Sequence, residues 1–434
     1  MERENIPGYK GGSRKTEVFD KGEDKYSRKA DVFWNTIAVS ADALQSTVIL
    51  SVIAYKLGIE DAGIFSIGYA LANLAATIAR YGMRNYQVTD KKAGCIFSDY
   101  FFARIITVFS SLACVSGYLM FCRRFLRYEG YKTQVVFMIC LYKLTDALED
   151  VCIGYYQQQG KLFAGARIAA IRMISSTGIL CAVLLAAKNL VTALEISVIY
   201  SVLLDVVLFG RRFRKEKMSC TGLCGKNVKK ILRECAPLAI AASVSMYVGN
   251  IPKYMIDWYM TEDVQAIFGY LMMPAFCIVL LSRFVYQPMV RDIGILWQKK
   301  EKKKLKQLME RQVIFIFCVT AIAVLAGTWI GIPLLNLLYD VRLEPYRLEF
   351  TLLFLGGALF AISSFCAVML TVTGRRNEMA AVYLLISLCS CFGGKYLLEL
   401  YGIAGAAILY LILNLGIILC FLLVLRKDLY EEKK

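Results

Sequence analysis

Twelve stretches of about 20 mostly apolar residues, each bounded by charged or turn-forming residues, follow one another along the chain. An apolar helix of this length crosses the hydrocarbon core of a bilayer with its backbone polar groups bonded internally. The sequence therefore predicts an all-α, polytopic membrane protein of about twelve transmembrane helices. The predicted spans are residues 31–55, 62–83, 98–121, 134–155, 163–187, 190–210, 232–252, 264–288, 311–333, 348–371, 378–399 and 403–425.

The composition agrees with this prediction and excludes most soluble functions. Of the 434 residues, 58% are hydrophobic, and the mean hydropathy is +0.54. The net charge of +17 indicates loops that face anionic lipid headgroups, not a nucleic-acid surface. The chain has no histidine, and most of its 15 cysteines lie in apolar runs, so we expect no catalytic residues, no metal site and no cofactor.

The basic residues predict the orientation of the chain. About four basic residues lie on the side of the two termini for each one on the other side, so both termini are expected in the cytoplasm. The predicted organisation is a cytoplasmic N-terminal tail (1–30), a first lobe of six spans (31–210), a basic cytoplasmic linker (211–230), a second lobe of six spans (231–425) and a cytoplasmic C-terminal tail (426–434).

An internal repeat relates the two predicted lobes. Residues 59–90 and 261–292 share a pattern with an almost constant offset. Because six spans separate the copies, the repeat is parallel, and two such lobes enclose a central cavity. Chance similarity between apolar segments is the alternative interpretation. The matching positions include the acidic pairs Glu60-Asp61 and Glu262-Asp263, which suit helix starts, and Arg80 with Arg283.

Ionisable residues within the predicted spans are candidate functional positions, because a charge in hydrocarbon is unfavourable. The predicted intramembrane charge network consists of Asp42, Lys143, Asp146, Glu149, Asp150, Arg167 and Arg172. The four charges of span four recur at intervals of three and four residues, so they share one helical face. One interpretation is that these acids and the arginines of span five neutralise each other to hold the lobe together.

A second interpretation gives the arginines a ligand. Unpaired arginines at the wall of the cavity would bind a pyrophosphate or an acidic sugar through charge-assisted hydrogen bonds. The candidates for this binding are Arg80, Arg84, Arg283 and Arg104. At the outer end of span seven, Lys253 and Asp257 are four residues apart and are predicted to form an interfacial ion pair.

Several segments resemble one family of membrane proteins. They are RYGMRNYQVTD (80–90), KLTDALEDVCIGYYQQQGKLFAGARIAAIR (143–172), NIPKYMIDWYMTEDVQAIFGYLMMPAF (250–276), RFVYQPMV (283–290) and YGIAGAA (401–407). Together they resemble the polysaccharide biosynthesis (Wzx-like) flippases of the multidrug/oligosaccharidyl-lipid/polysaccharide exporter (MOP) superfamily. The resemblance covers nearly the whole chain and lies in the overall pattern, not in a single motif.

The resemblance implies a bilobed bundle in the bacterial plasma membrane. Such a protein moves a polyprenyl-pyrophosphate-linked oligosaccharide to the outer leaflet by alternating access, for surface polysaccharide assembly. Its implied partners are this lipid-linked substrate, anionic lipid headgroups and other polysaccharide-assembly proteins. Three alternatives stay open: a cation-coupled multidrug exporter of the same superfamily with Asp42 as its coupling residue, a carrier of the major-facilitator type, and a membrane glycan polymerase or glycosyltransferase.

Overall fold

The computed structural model describes residues 16–89, 95–215, 224–286 and 289–430, and these ranges contain helices and no strands. They include a π-helical segment (Gly327–Gly331) and a short 3-10 turn (Glu344–Tyr346). The helices are α1 (Thr16–Lys56), α2 (Ile59–Arg80), α3 (Met83–Thr89), α4 (Phe97–Phe125), α5 (Gly130–Gln158), α6 (Leu162–Ala187), α7 (Leu190–Lys215), α8 (Gly225–Tyr259), α9 (Glu262–Tyr286), α10 (Val290–Gln298), α11 (Lys302–Ala326), α12 (Ile332–Tyr339), α13 (Arg347–Val372) and α14 (Arg376–Tyr430).

Each predicted span corresponds to one long helical segment, so the predicted fold class is confirmed. The segment α11–α12 forms one span through its π-helical turn. The long helix α14 contains two spans, because Gly402 interrupts it with φ 56° and ψ −129°, a conformation that only glycine adopts readily.

The helices mark the chain as a multi-pass membrane protein. In the described residues, ten helical segments are long and apolar enough to cross a bilayer. Two of the twelve predicted spans, in α5 and in the part of α14 before residue 393, are not among them. Helix α5 does not qualify because four ionisable residues lie within about two of its turns. The same four side chains are buried in the protein, so α5 lies inside its lobe and not against lipid.

The packing of the helices reproduces the predicted parallel repeat. In the first lobe, formed by α1–α7, α1 packs on α6 and α2 packs on α5. In the second lobe, formed by α8–α14, the equivalent pairs recur: α8 packs on α14, and α9 packs on α13. The acidic pairs of the repeat lie in the first turns of α2 and α9, as predicted, and Arg80 and Arg283 lie in the last turns.

The lobes approach each other closely at one end of the bundle. We call the end at which Ala30 and Arg426 lie the proximal end, and the opposite end the distal end. Near the distal end, a Cβ atom at Gly63 of α2 would lie 2.0 Å from the carbonyl oxygen of Glu262 in α9. A Cβ atom at Gly269 would lie 2.5 Å from the Ser66 hydroxyl. Glycine therefore permits the backbones of α2 and α9 to pack closely between the lobes.

Helix α8 begins against the first lobe. The Asp99 carboxylate of α4 accepts hydrogen bonds from the Cys224 amide, at 2.9 Å, and from Asn227 Nδ2, at 2.8 Å. Ile231, one turn further on, is buried in a cluster with residues of α3 and α4. Pro237 follows within the same helix and removes one backbone hydrogen bond. The first turns of α8 are thus attached to the first lobe, although the rest of the helix packs in the second.

The predicted tails and linker lie partly outside the described residues. Helix α1 begins within the predicted N-terminal tail, of which residues 1–15 are not described. The ends of the basic linker are helical, and residues 216–223 between them lie outside the described residues, as do residues 431–434 of the C-terminal tail. The boundaries of the predicted domains stay predictions.

Candidate functional site

The charges of α5 form the centre of the site. Lys143, Asp146, Glu149 and Asp150 are all buried, with exposed fractions of 9% or less. Their spacing places them on one face of α5, and that face meets charged residues of α1, α2, α3, α4 and α6. In the structure these side chains form one cluster of ion pairs, and its role in function stays a prediction.

Asp146 is the most connected acid of the network. Its Oδ2 atom lies 2.7 Å from Lys143 Nζ, and its Oδ1 atom lies 2.5 Å from Arg172 Nη2 of α6. Arg172 also lies 2.7 Å from Glu149 Oε2 and is completely buried. Arg172 of span five thus pairs with two acids of span four in the structure. Removing one member of such a buried set leaves an uncompensated charge.

Lys143 connects the network to α1. Its ammonium group donates to Asp42 Oδ1 at 2.7 Å and to Gln45 Oε1 at 3.2 Å. It also lies 5.3 Å from the ring centroid of Tyr69, where the ring quadrupole attracts it. Asp42 keeps 44% of its side chain exposed, whereas Lys143 is enclosed. Asp42 is therefore the acid through which this part of the network meets solvent.

Sequence reasoning missed a polar layer beside Lys143. Gln45 donates to the Tyr142 hydroxyl at 2.9 Å and to Thr177 Oγ1 at 3.0 Å, and Tyr142 is also 3.0 Å from Ser176 Oγ. These uncharged side chains fall in apolar runs, so no pattern distinguishes them from ordinary helix residues. Their hydrogen bonds join α1, α5 and α6 around the charges.

Asp205 of α7 is a further acid that sequence reasoning missed. Its Oδ1 atom lies 3.7 Å from Arg172 Nε, and its side chain is 15% exposed. An acid within the apolar run VLLDVV was the available signal. With Asp205, the ion pairs of the network in the described residues join five carboxylates to five cations: Asp42, Asp146, Glu149, Asp150 and Asp205 with Arg80, Arg84, Arg104, Lys143 and Arg172.

Arg104 is not part of a cavity wall, which corrects its prediction as a substrate-binding candidate. Its side chain is 0% exposed, and its guanidinium donates to Asp150 Oδ2 at 2.8 Å and to the Ala79 carbonyl at 2.7 Å. These bonds hold α4 against α2 and α5. A residue this enclosed cannot contact a ligand in this conformation.

The prediction for Arg167 is also wrong. Its side chain is exposed, and its guanidinium lies 5.2 Å from the ring centroid of Trp34 in α1. Arg172 lies five positions after Arg167 on α6, so the two side chains lie on different faces of that helix. Arg167 therefore stands outside the buried network.

Arg80 and Arg84 are the partly exposed cations of the first lobe. Arg80 Nη2 lies 3.8 Å from Asp146 Oδ2, with 38% of the side chain exposed. Arg84 Nη1 lies 3.5 Å from Asp150 Oδ1, with 30% exposed, and Arg84 Nε donates to Gln157 at 2.9 Å. Between α2 and α3, Tyr81 and Gly82 have positive φ angles, in the left-handed region, and these end α2. This break turns α3 toward α5 and places Arg84 beside Asp150.

Arg283 is the equivalent cation of the second lobe. It lies in the last turn of α9, as Arg80 lies in the last turn of α2, and it is exposed. A guanidinium that faced hydrocarbon at this position would be unfavourable. Arg80, Arg84, Arg283 and Asp42 are thus charged side chains of the predicted site that keep an exposed surface.

The predicted Lys253–Asp257 pair is not formed in this structure. Asp257 instead forms an ion pair across the lobes with Lys132 of α5, at 2.7 Å, and accepts a hydrogen bond from Tyr128. Lys132 also lies 2.9 Å from Glu262 Oε1. The spacing rule considered one helix only, whereas the partner of Asp257 comes from the other lobe. Lys253 is buried, with 6% exposed.

An apolar cavity of about 200 Å³ lies between α2, α4 and α8. It is lined by the aliphatic side chains Leu71, Leu74 and Ile78 of α2 and by the aromatic residues Tyr118, Tyr247 and Trp258, among others. Leu71, Leu74 and Ile78 follow helical spacing, so they share a face of α2. That face is different from the one that carries Arg80.

Comparisons with known proteins identify the fold. A multidrug resistance MATE family transporter of the MOP superfamily, in an inward-facing conformation, matches with a TM-score of 0.65 at 12% identity, over 92% of this chain and 100% of that chain. The eukaryotic MATE transporter AtDTX14 matches with a TM-score of 0.65 at 11% identity, over 93% and 96%. The chain has the MATE fold.

A third MATE-fold match is a MOP superfamily transporter from Pyrococcus furiosus, for which reverse polarity of the binding pocket suggests a different function. Its TM-score is 0.56 at 13% identity, over 94% of this chain and 97% of that chain. No family model and no curated protein sequence matches this chain. These comparisons show the fold alone, and neither the superfamily nor the oligosaccharide branch inferred from the sequence is shown by them.

Proposed function

We propose that this protein is an alternating-access transporter that moves a polyprenyl-pyrophosphate-linked oligosaccharide from the cytoplasmic to the outer leaflet of a bacterial plasma membrane. The cargo serves surface polysaccharide assembly, of the capsule, exopolysaccharide or O-antigen type. The observation that carries this proposal is the set of partly exposed arginines, Arg80, Arg84 and Arg283, at the proximal ends of the two lobes.

The ion-pair distances support an anionic ligand. The buried cations Lys143 and Arg172 lie 2.5 to 2.7 Å from carboxylate oxygens of Asp146. Arg80 and Arg84 lie 3.8 and 3.5 Å from their nearest acids and keep a third of their surface exposed. Their guanidinium groups retain free donors, and guanidinium binds phosphate oxygens in pairs of hydrogen bonds.

The apolar cavity beside α2 supports a cargo with a hydrocarbon part. The same helix presents Arg80 at its proximal end and lines this cavity with Leu71, Leu74 and Ile78. A lipid-linked pyrophosphate requires both a cationic and an apolar surface, and α2 carries the two on different faces. An apolar wall also suits a lipophilic drug, so the arginines and not the cavity distinguish the two candidate functions.

The orientation belongs to the same proposal. The excess of basic residues on the side of the termini supports a cytoplasmic proximal end, where anionic headgroups contact the basic linkers. The exposed arginines then face the compartment in which a lipid-linked oligosaccharide is made. Other polysaccharide-assembly proteins are the proposed partners on the distal side.

A cation-coupled multidrug exporter is the second candidate function. Asp42 favours it, because 44% of this side chain is exposed and an exposed carboxylate attracts a coupling cation or a cationic drug. One of the matched MATE-fold structures is a multidrug resistance transporter. In this function the arginines hold the lobe together and do not contact cargo.

Depletion of the protein in its native bacterium, followed by rescue with variants, tests the first proposal. Lipid extracts are analysed for polyprenyl-pyrophosphate-linked oligosaccharide, and surface glycan is measured in parallel. We expect depletion to raise the lipid-linked intermediate and reduce surface glycan. Wild type and Arg123→Ala, an exposed arginine at the distal end, should restore both, whereas Arg80→Ala and Arg283→Ala at equal expression should not.

The same strains separate the alternatives. Normal lipid-linked glycan with increased sensitivity to cationic toxins, and failure of Asp42→Asn to restore resistance, would replace the flippase with the drug exporter. Purified protein that lengthens or transfers glycan would indicate an enzyme instead. Rescue by Arg80→Ala and Arg283→Ala together would remove the arginines from the path of the cargo.

A further inference from the structure

A small ionic cluster closes the distal end between the lobes. Lys132 of α5 bridges Asp257 of α8, at 2.7 Å, and Glu262 of α9, at 2.9 Å. Its ammonium group also lies 4.2 Å from the ring centroid of Tyr128. The side chains of Lys132 and Asp257 are 9% and 1% exposed. Lys132 is thus the cation that joins the first lobe to two acids of the second.

Asp257 depends on the closed arrangement for its partners. Both of its carboxylate oxygens are bound by the first lobe, one by Lys132 and the other by the Tyr128 hydroxyl. Separation of the lobes at this end would remove both partners at once. An ionised carboxylate that is left without a partner in a buried place is strongly unfavourable. In an open distal end, Asp257 is therefore either hydrated by the water that enters or paired with a new partner from its own lobe.

Lys253 lies one helical turn before Asp257 on the same helix. It is 6% exposed, and no hydrogen bond or ion pair of its ammonium group exists within the described part of the chain. Residues four apart on a helix are within reach of an ion pair. Pro252 precedes Lys253 and removes the helical hydrogen bond to the Val248 carbonyl, which permits a local bend.

We propose that Asp257 exchanges partners when the lobes move: it pairs with Lys132 while the distal end is closed and with Lys253 when the distal end is open. This proposal rests on the alternating access of the proposed function but not on the identity of the cargo. The two lysines compete for one carboxylate, so each stabilises one of two conformations. The ion pair predicted from spacing alone belongs to the conformation that the structure does not adopt.

The two lysines should affect the distal-open population in opposite directions. Lys132→Met removes the closed-state partner and should increase the distal-open population. Lys253→Met removes the open-state partner and should decrease it. We expect each variant to change the ratio of open to closed molecules by about fivefold or more. Asp257→Asn, which removes both pairs, should lie between them.

The populations can be measured as a distance distribution across the distal end in lipid nanodiscs without cargo. Spin-labelled noncanonical amino acids at Arg123 of α4 and Tyr401 of α14, both exposed, leave the native cysteines in place. Lys188→Met, which changes another exposed lysine of the distal end, is the matched control. Lys132→Arg and Lys253→Arg preserve each charge and should retain the wild-type distribution, which controls for loss of folding.

Two outcomes would overturn the proposal: the Lys132→Met and Lys253→Met variants shift the distribution in the same direction, or Lys253→Met leaves it unchanged. Opposite shifts combined with unaltered lipid-linked glycan in depleted cells would support the exchange and reject the proposed cargo. Equal shifts with accumulated lipid-linked glycan would do the reverse.

Discussion

Asp146 illustrates how single residues determine the behaviour of the first lobe. Two fully enclosed cations, Lys143 and Arg172, bind its two oxygens, and the partly exposed Arg80 approaches from α2. Because Lys143 and Arg172 come from α5 and α6, Asp146 both neutralises buried charge and joins helices. Arg80 has the longest of these contacts and the largest exposed surface, so it can leave Asp146 for a ligand without disrupting the buried part.

Replacement of Asp146 by Asn should strongly destabilise the protein. The change leaves Lys143 and Arg172 with less negative charge in a buried place, and the loss of one partner of a buried ion pair costs about 3 to 5 kcal/mol. Thermal unfolding of the detergent-solubilised protein checks this. Glu399→Gln is the matched control, because Glu399 forms an exposed pair with Lys395 at 3.6 Å and such pairs contribute about 1 kcal/mol or less. Equal melting temperatures for the two variants would contradict the prediction.

At the scale of helices, α2 is the element on which both lobes depend. It packs on α5 within its own lobe and on α8 and α9 of the other. Its buried face is rich in glycine and alanine, and these small side chains allow neighbouring backbones to approach closely. Within lipid, such close packing is what holds helices together, because burial of apolar surface contributes little there. The distal half of α2 thus contacts the second lobe, while its proximal end carries Arg80.

A methyl group at Gly63 should weaken the distal contact between the lobes. The added carbon would lie 2.0 Å from a backbone oxygen of Glu262, so α2 and α9 must separate. Overpacking of this kind costs about 1 to 3 kcal/mol. Gly117→Ala in α4 is the control, because a Cβ atom there meets no atom within 4 Å. We expect a lower melting temperature for Gly63→Ala only; an unchanged value would show that the helices adjust without strain.

The elements were more predictable from sequence than the contacts between them. Apolar length and the offset of the repeat predicted the spans, because each depends on local composition. The partner of Asp257 was not predictable in this way, since Lys132 is 125 residues distant in the chain. The Lys253–Asp257 prediction does not describe this structure for the same reason. Arg104 is buried and Arg80 is partly exposed because of their neighbours in the folded lobe, and the spacing of charges in the sequence does not predict those neighbours.

At the scale of the molecule, the proposed alternating access requires the two lobes to move relative to each other. The equivalent helix pairs of the repeat make each lobe a unit with its own internal packing. The contacts that join the lobes are of several kinds: a glycine crossing, an ion cluster around Lys132, a hydrogen bond of 3.2 Å from Trp258 to the Tyr118 hydroxyl, and apolar packing of α2 against α8 and α9. Movement of the lobes as proposed requires all of these contacts to rearrange.

A covalent link between α2 and α9 should arrest transport. A Cβ atom at Gly269 would lie 3.2 Å from the Ser66 Cβ, which is near the separation of about 3.5 to 4.5 Å in disulfides. We expect Ser66→Cys/Gly269→Cys to lose transport under oxidising conditions and to regain it with a reductant. The two single variants control for the substitutions themselves. Continued transport by fully cross-linked protein would exclude movement at this crossing.

The attachment of the first turns of α8 to the first lobe limits how the halves can rearrange. Asp99 of the first lobe holds Cys224 and Asn227 at the start of α8. If the lobes move as proposed, we expect part of the movement to be taken up by bending of α8, where Pro237 and Pro252 each remove a backbone hydrogen bond. The bending stiffness of α8 is then expected to influence how fast the protein changes between its conformations.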